Sequence, residues 1–207
     1  MSYIFGLVFI LFVGGIDKRY IIIAITLVII LIPLLYLFVL PEHAKARIDV
    51  YLDPYKDPRG DGYNIIQSKI AIGAGQLFGL GFLKGTQTHL GYLYPKTTDF
   101  IFSVIGEEFG FLLCSIIVII YIRLITKCIN VAKTANDDLG SYIAIGFSGI
   151  LFFHILENIG MTIGLLPITG VPLPFISYGG SSMLTNIIMI GLIINVSFHS
   201  KKLMFAD

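Results

Sequence analysis

The sequence predicts an all-α polytopic membrane protein of about five transmembrane helices, arranged as one membrane domain with a long structured outer loop. Three observations predict it. The 207 residues are 56% hydrophobic, and their mean hydropathy is +0.89, far above the range of a soluble domain. The apolar residues fall in runs long enough to cross a bilayer. Short charged turns separate those runs and alternate in the way that membrane orientation requires. The net charge of +1 and the lack of any basic run exclude a nucleic-acid partner. Cys114 and Cys128 stand fourteen positions apart, which makes neither a metal site nor a disulfide framework.

Residues 2–15 are apolar but reach only about 21 Å as a helix, short of the roughly 30 Å hydrocarbon core. They lack a cationic lead-in and a small-residue cleavage site, so no cleavable signal peptide is expected. The short span is expected to be the clipped start of the back part of a longer chain. Asp17-Lys18-Arg19 forms the first turn, and residues 20–40 form a strong span, kinked at Pro33. Residues 41–98 form a polar connection containing Asp53-Pro54-Tyr55-Lys56-Asp57-Pro58-Arg59-Gly60, which is turn chemistry. Within it, residues 63–72 suit a short helix lying at the interface, and a loop of this length is usually functional. Spans follow at 100–122, 141–163 and 182–198. Arg123, Lys127, Lys133 and Asn136-Asp137-Asp138 lie in the first connection between them, and Lys201-Lys202 end the last span. Residues 164–180 are apolar but hold Pro167, Pro172, Pro174 and several glycines, so they cannot be regular helix.

Lysine and arginine in the short loops set the orientation. The turns at 17–19 and 123–140 and the tail carry them, whereas 164–180 carries none. The charged turns are therefore expected in the cytoplasm, with the 41–98 loop and the Pro/Gly segment outside. Asp99 then stands at the outer membrane face, where a polar loop gives way to an apolar run.

A carboxylate at that boundary, with Glu107 and Glu108 below it, is costly unless something uses or pairs it. If Asp99 opens a helix, Ser103 and Glu107 share its quadrant, Glu108 lies opposite, and Glu107 sits about 12 Å deeper. Asp99 then reads as a base or cation ligand, with Glu107 and Glu108 in a buried supporting role. The alternative is a helix cap from Thr97, Thr98 or Asp99. His154, Glu157, Asn158 and Met161 fall on one helix face, which must meet protein or water; packing by hydrogen bonds across helices is the plainer reading. Irregular backbone at 164–180 survives at membrane depth only under protein or beside a cavity, and Ser181 or Ser182 could cap the last helix and favour an anion. Gly73-Ala74-Gly75-Gln76-Leu77-Phe78-Gly79 imitates a dinucleotide fingerprint, but no strand precedes it and the spacing is wrong. Among the cations of the outer loop, Arg47, Lys69 and Lys84 are candidate contacts for a lipid pyrophosphate.

The run from Asn158-Ile159-Gly160-Met161-Thr162-Ile163-Gly164 to Ser182 resembles the signature of the SEDS family (shape, elongation, division, sporulation), including Pro167, Gly170, Ser177, Gly179 and Gly180. The outer loop carries the same resemblance through Arg47-Ile48, Asp53-Pro54, Gly62-Tyr63, Gln67-Ser68-Lys69, Gly85-Thr86-Gln87-Thr88 and Thr98-Asp99-Phe100-Ile101-Phe102, and on to Glu107-Glu108. The wording is closer to the elongation member than to the division member. The resemblance implies the last five helices of a ten-helix fold in the bacterial cytoplasmic membrane. It implies a peptidoglycan glycosyltransferase that polymerises lipid II outside the membrane, for cell-wall elongation and rod shape. Asp99 would be the catalytic residue, acting as base or through a divalent cation (Mg or Mn). Substrate contacts would come from Arg47, Lys69, Lys84, Ser177, Gly179, Gly180 and Ser181, and buried polar support from Glu107, Glu108, His154, Glu157 and Asn158. A class B penicillin-binding protein and other elongation-complex proteins would be its partners. Tyr94-Pro95-Lys96-Thr97 departs from the family's Pro-Glu-x-His run ahead of Thr-Asp, which removes any auxiliary role for that Glu and His. A chain without the front half is expected to be inactive alone or to need a second polypeptide. The other readings are a flippase or transporter of the lipid-linked precursor and a non-catalytic scaffold. Transport predicts internal repeats, and none is visible.

Overall fold

The computed structural model describes residues 2–14, 50–58, 60 and 62–204, together with Arg19 and Thr26. Apart from Thr26, the expected span at 20–40 lies outside the described residues, as does Arg47. The regular elements among the described residues are all helical: α1 (Ser2–Val13), a 3-10 turn (Pro54–Lys56), α2 (Tyr63–Ala74), α3 (Thr86–His89), α4 (Ile101–Lys133), α5 (Asp138–Thr162) and α6 (Gly180–Met204). Among the described residues, three helices are long and apolar enough to cross a membrane: Ile101–Lys133, Asp138–Thr162 and Gly180–Ser200. The 12-residue α1 is apolar but shorter.

Helix α5 is the hub, packed by α1, α4 and α6. Small residues let the backbones approach: Gly146 faces Ile10 and Gly149 faces Phe9. The Phe5–Phe153 and Phe9–Phe152 rings meet at 4.8 and 5.8 Å. One core cluster contains Phe102, Cys114, Tyr121, Leu151, Ile155, Leu173 and Met189. A second contains Cys128, Ala132, Ala144, Ile145 and Ile193.

Helix α4 runs to Lys133, past the expected end near residue 122. Residues 111–133 alone span about 35 Å at 1.5 Å per residue, longer than a bilayer's hydrocarbon core. Arg123, Lys127 and Lys133 therefore ride on a continuing helix, because no breaker intervenes. The turn that ends it is tight. Asn136 Nδ2 donates to the His199 and Ser200 carbonyls, both at 3.2 Å, and Asp137 caps α5 by accepting from Gly140 N–H at 3.0 Å.

The expected interfacial helix is placed differently. Helix α2 runs lengthwise along α4 rather than across its end. Ser68 meets Ser103 at 2.6 Å, Gly106 packs on Ile72, and the carbonyls of Gln76 and Leu77 accept from Phe111 and Leu112 at 2.9 and 3.2 Å. Equal steps along both helices mean that they run parallel. Ile65, Ser68 and Ala71, at a spacing of three, form the face buried in this packing. The glycine run 73–79 that imitates a nucleotide loop is the crossing itself. Gly75 and Gly79 lie against the α4 backbone, where a Cβ would collide with the Gly106 and Glu108 carbonyls.

Helix α4 is broken at that level. Gly110 has φ 76° and ψ −172°, a conformation open essentially to glycine alone. The break frees the carbonyls of Glu107 and Glu108, and these accept from Leu80 and Gly81 N–H at 2.9 Å each. The amides of Phe111 and Leu112, which a regular helix would pair with those carbonyls, go to Gln76 and Leu77 instead. Four helix groups are exchanged for four loop groups, so none of the eight is left unpaired.

Candidate functional site around Asp99

Asp99 lies in the turn before α4 and is half-buried. Phe100, not Asp99, holds the cap position, and no side chain caps the helix start. The backbone around Asp99 is fixed at three consecutive carbonyls. Thr97 O accepts from Tyr178 N–H at 2.9 Å. Thr98 O accepts from the Ser177 hydroxyl at 2.6 Å, and Asp99 O accepts from Asn158 Nδ2 at 2.9 Å. The Asp99 carboxylate, by contrast, makes no hydrogen bond or ion pair with any described residue.

The donors that fix this turn are themselves tied to the Pro/Gly segment. Asn158, fully buried on α5, spends its second amide hydrogen on Val171 O at 2.8 Å. Ser177 Oγ also accepts from Leu173 N–H at 2.7 Å. Glu157 Oε1 accepts from the Thr169 hydroxyl at 2.8 Å, and the Tyr121 hydroxyl donates to Pro174 O at 2.6 Å. Gly170 packs beside the acid, and a Cβ there would stand 3.3 Å from Asp99 Oδ2. The side chains of α4 and α5 thus hold an irregular segment against the Asp99 turn, with the Val171 and Pro174 carbonyls and the Leu173 amide paired to them or to Ser177.

Glu107 fixes a second strand of the outer loop. It is fully buried, and its oxygens accept from Gln87 N–H at 2.7 Å, Thr88 N–H at 3.0 Å and the Thr86 hydroxyl at 3.4 Å. The two amides are free donors of the first turn of α3, where an anion is favoured. Lys96 Nζ then donates to Thr88 O at 2.8 Å, linking the clamped segment to the turn that bears Asp99. Lower down, Ser68 donates to Thr162 O at 2.6 Å, joining α2 to the end of α5. Sequence reasoning did not assign roles to Lys96, Tyr121 or Thr169; no spacing rule links them to Asp99.

The other candidate residues are distributed as follows. Glu108 is buried, and its carboxylate has no partner among the described residues. His154 is half-buried, with Nδ1 enclosed and unpaired. Ser177 is buried and engaged by backbone on both sides. Gly180 opens α6 with no described residue within 4 Å of an added Cβ, Gly179 packs near Ser182, and Ser181 is exposed. Lys69 and Lys84 are exposed, and no hydrogen bond ties either to the Asp99 turn. Among the described residues, no three His, Cys, Asp or Glu side chains gather as a metal site. Asp99 offers a single carboxylate, and a hard cation such as Mg needs oxygen ligands around it.

A family model described as "Cell cycle protein", covering FtsW, RodA and SpoVE, matches residues 1–202. The peptidoglycan glycosyltransferase MrdB of Escherichia coli (strain K12) is 43% identical over 195 residues, which is 94% of this chain and 53% of that protein. The peptidoglycan glycosyltransferase RodA of Treponema pallidum (strain Nichols) is 42% identical over 77% of this chain and 37% of its own length. Stage V sporulation protein E of Bacillus subtilis (strain 168) is 41% identical over 75% and 42%, respectively. A solved structure described as "Structural coordination of polymerization and crosslinking by a peptidoglycan synthase complex" superposes with a TM-score of 0.80 at 27% identity, over 99% of this chain and 55% of that one. The chain spans about half the length, or less, of the curated relatives it matches. With a family model covering nearly its whole length and relatives above 40% identity, this chain belongs to the FtsW/RodA/SpoVE family.

Proposed function

We propose that this chain carries the catalytic half of a peptidoglycan glycosyltransferase, polymerising lipid II for cell-wall elongation on the outer face of the bacterial cytoplasmic membrane. The observation that carries this reading is Asp99: its backbone is fixed by three accepted hydrogen bonds while its carboxylate is left unspent. A general base needs that combination of a fixed position and a free acceptor. The cations Arg123, Lys127 and Lys133 at the other end of α4 support an outward-facing Asp99.

In this reading Asp99 takes the proton from the acceptor sugar 4-hydroxyl. The freed oxygen attacks the anomeric carbon of the donor, the bond to pyrophosphate breaks, and undecaprenyl pyrophosphate leaves. Asn158 and Ser177 position the base through the backbone and do not touch substrate. The relatives named as peptidoglycan glycosyltransferases support the activity. The solved complex that couples polymerization to crosslinking supports a class B penicillin-binding protein as partner. Nothing in the arrangement favours the flippase or scaffold readings.

Asp99→Asn tests the proposal. Lipid II polymerisation is measured by gel analysis of glycan strands. The chain is reconstituted both alone and with a polypeptide covering the half of the relatives that it does not match. The reading expects activity in at least one arrangement and its loss, by at least a hundred-fold, in the variant, within the usual range for a general base. Glycan strands made at the normal rate by Asp99→Asn would remove the carboxylate from the mechanism.

A further inference from the structure

A cavity of 640 Å³ opens between α2, α4 and α5, away from the Asp99 carboxylate. Its walls include Phe102 and Val118 on α4, Ile159 on α5 and Ile163 at the α5 C-cap. The α2 wall is made by Ile72 and Gly73, with Gln76 just beyond the end of that helix. Its lining is almost wholly apolar, and the Ser115 hydroxyl within it is already spent on Phe111 O at 2.8 Å.

The α2 wall continues as a stripe. Lys69, Ile72 and Gly73 stand at i, i+3 and i+4 on one face of α2, and Gln76 follows beyond its end. Lys69 is the end of that stripe nearer the expected outer surface, since its neighbour Ser68 pairs with Ser103 whereas Gln76 pairs with Phe111 deeper on α4. The Lys69 side chain lies along Gly164, next to Ile163 of the cavity wall. Lys69 is exposed as a residue, and its ammonium has no hydrogen-bond or ion-pair partner among the described residues. Gly73 is exposed, and a Cβ placed on it would meet no described residue within 4 Å. Among the described residues, the groove is therefore open on this side.

We propose that this groove is a lipid site: it takes one acyl chain of an anionic glycerophospholipid, with Lys69 receiving the headgroup phosphate. The charge pattern decides the occupant. An apolar slot beside a membrane helix, ending at a single free ammonium near the expected outer surface, matches an amphiphile with one hydrocarbon chain inside and a phosphate at the mouth. A protein segment seated there would leave the lysine unpaired or bring its own carboxylate. The site does not depend on what Asp99 does.

Native mass spectrometry of the protein released from nanodiscs of equal phosphatidylglycerol and phosphatidylcholine tests this. The wild type is expected to retain one phosphatidylglycerol in preference. Lys69→Gln should reduce that preference roughly five-fold, the effect of one lysine near a membrane surface, while still retaining lipid. Gly73→Leu should fill the groove and abolish retention. Gly191→Leu, at another exposed position where a Cβ meets no described residue, should change nothing and serves as the folding and lipid-contact control. Equal retention of both lipids by the wild type would overturn the proposal. So would retention unaffected by Gly73→Leu, or selective displacement of phosphatidylglycerol by a polyprenyl phosphate at low molar ratio. A photo-crosslinker at position 73 that captures polypeptide instead of lipid would overturn it as well.

Discussion

Gly110→Ala is the sharpest test of how the outer loop is anchored. An added Cβ there would stand 2.6 Å from Leu77 O and closer still to Gly79 N, and φ 76° with ψ −172° is closed to alanine. Two responses are open to the chain. If it keeps its path, it carries backbone strain of about 1–3 kcal/mol in addition to the clash. If α4 instead closes into a regular helix, the loop is expelled. The carbonyls of Gln76 and Leu77 and the amides of Leu80 and Gly81 then lose their partners, at about 1 kcal/mol each. Two helix bonds are regained on closing, so both routes cost about 1–3 kcal/mol, and the cheaper one does not escape the penalty. Thermal unfolding in detergent, read by a thiol-reactive dye at the buried Cys114 and Cys128, should show a clearly lowered midpoint. Trypsin should also cut faster at Lys84, just beyond the anchored segment. Gly91→Ala is the control, because Gly91 also has positive φ but no described residue within reach of an added Cβ, so it carries strain without lost pairing. An unchanged midpoint and unchanged cleavage at Lys84 in Gly110→Ala would refute the exchange of hydrogen bonds.

The remaining predictions concern the residues that hold the site. Asn158→Leu removes the donor from two carbonyls, Asp99 O and Val171 O, at about 1–3 kcal/mol for each buried group left unpaired. Polymerisation should fall at least ten-fold, with the loss in turnover rather than in apparent lipid II affinity; a pure affinity loss would place Asn158 on the substrate. Glu107→Ala strips three donors around α3 of their acceptor and should expose Lys96 to rapid trypsin cleavage. Glu107→Gln, which keeps one good acceptor, should restore most of the protection, and equal cleavage of the two variants would show that the clamp is not what orders this segment.

Much of this arrangement was legible in the residues. The apolar runs marked α4, α5 and α6, and the prolines and glycines at 164–180 marked irregular backbone. The spacing of His154, Glu157 and Asn158 marked a polar face on α5, though only contact shows that Glu157 and Asn158 both reach the Pro/Gly segment. The course of α2 was hidden. Local periodicity reports which face of a helix is apolar, but here that face meets another helix rather than a membrane surface, and both give the same pattern. The extension of α4 to Lys133 was hidden for a related reason: Arg and Lys are good helix formers, so charge after residue 122 signalled the edge of the apolar run and not the end of the helix. The break at Gly110 follows Glu107-Glu108-Phe109, a stretch with nothing to mark it. It depends on a partner segment about thirty residues away that supplies the missing hydrogen bonds.

The Pro/Gly segment raises a question that the site itself answers. It carries no charged residue between 164 and 180, yet it stands beside the acid that the proposed chemistry requires. Had its role been to bind phosphate, Ser177 should be free, but that hydroxyl is buried between Thr98 O and Leu173 N–H. The segment instead supplies neutral groups: the Tyr178 amide and Ser177 hydroxyl go to the Asp99 turn, and Gly170 leaves space at Oδ2. A charged side chain in their place would pair with Asp99 and occupy the acceptor that a base must keep open. The neutrality of the segment and its irregular backbone are then two consequences of one requirement, that a carboxylate be fixed through its main chain and left alone at its side chain.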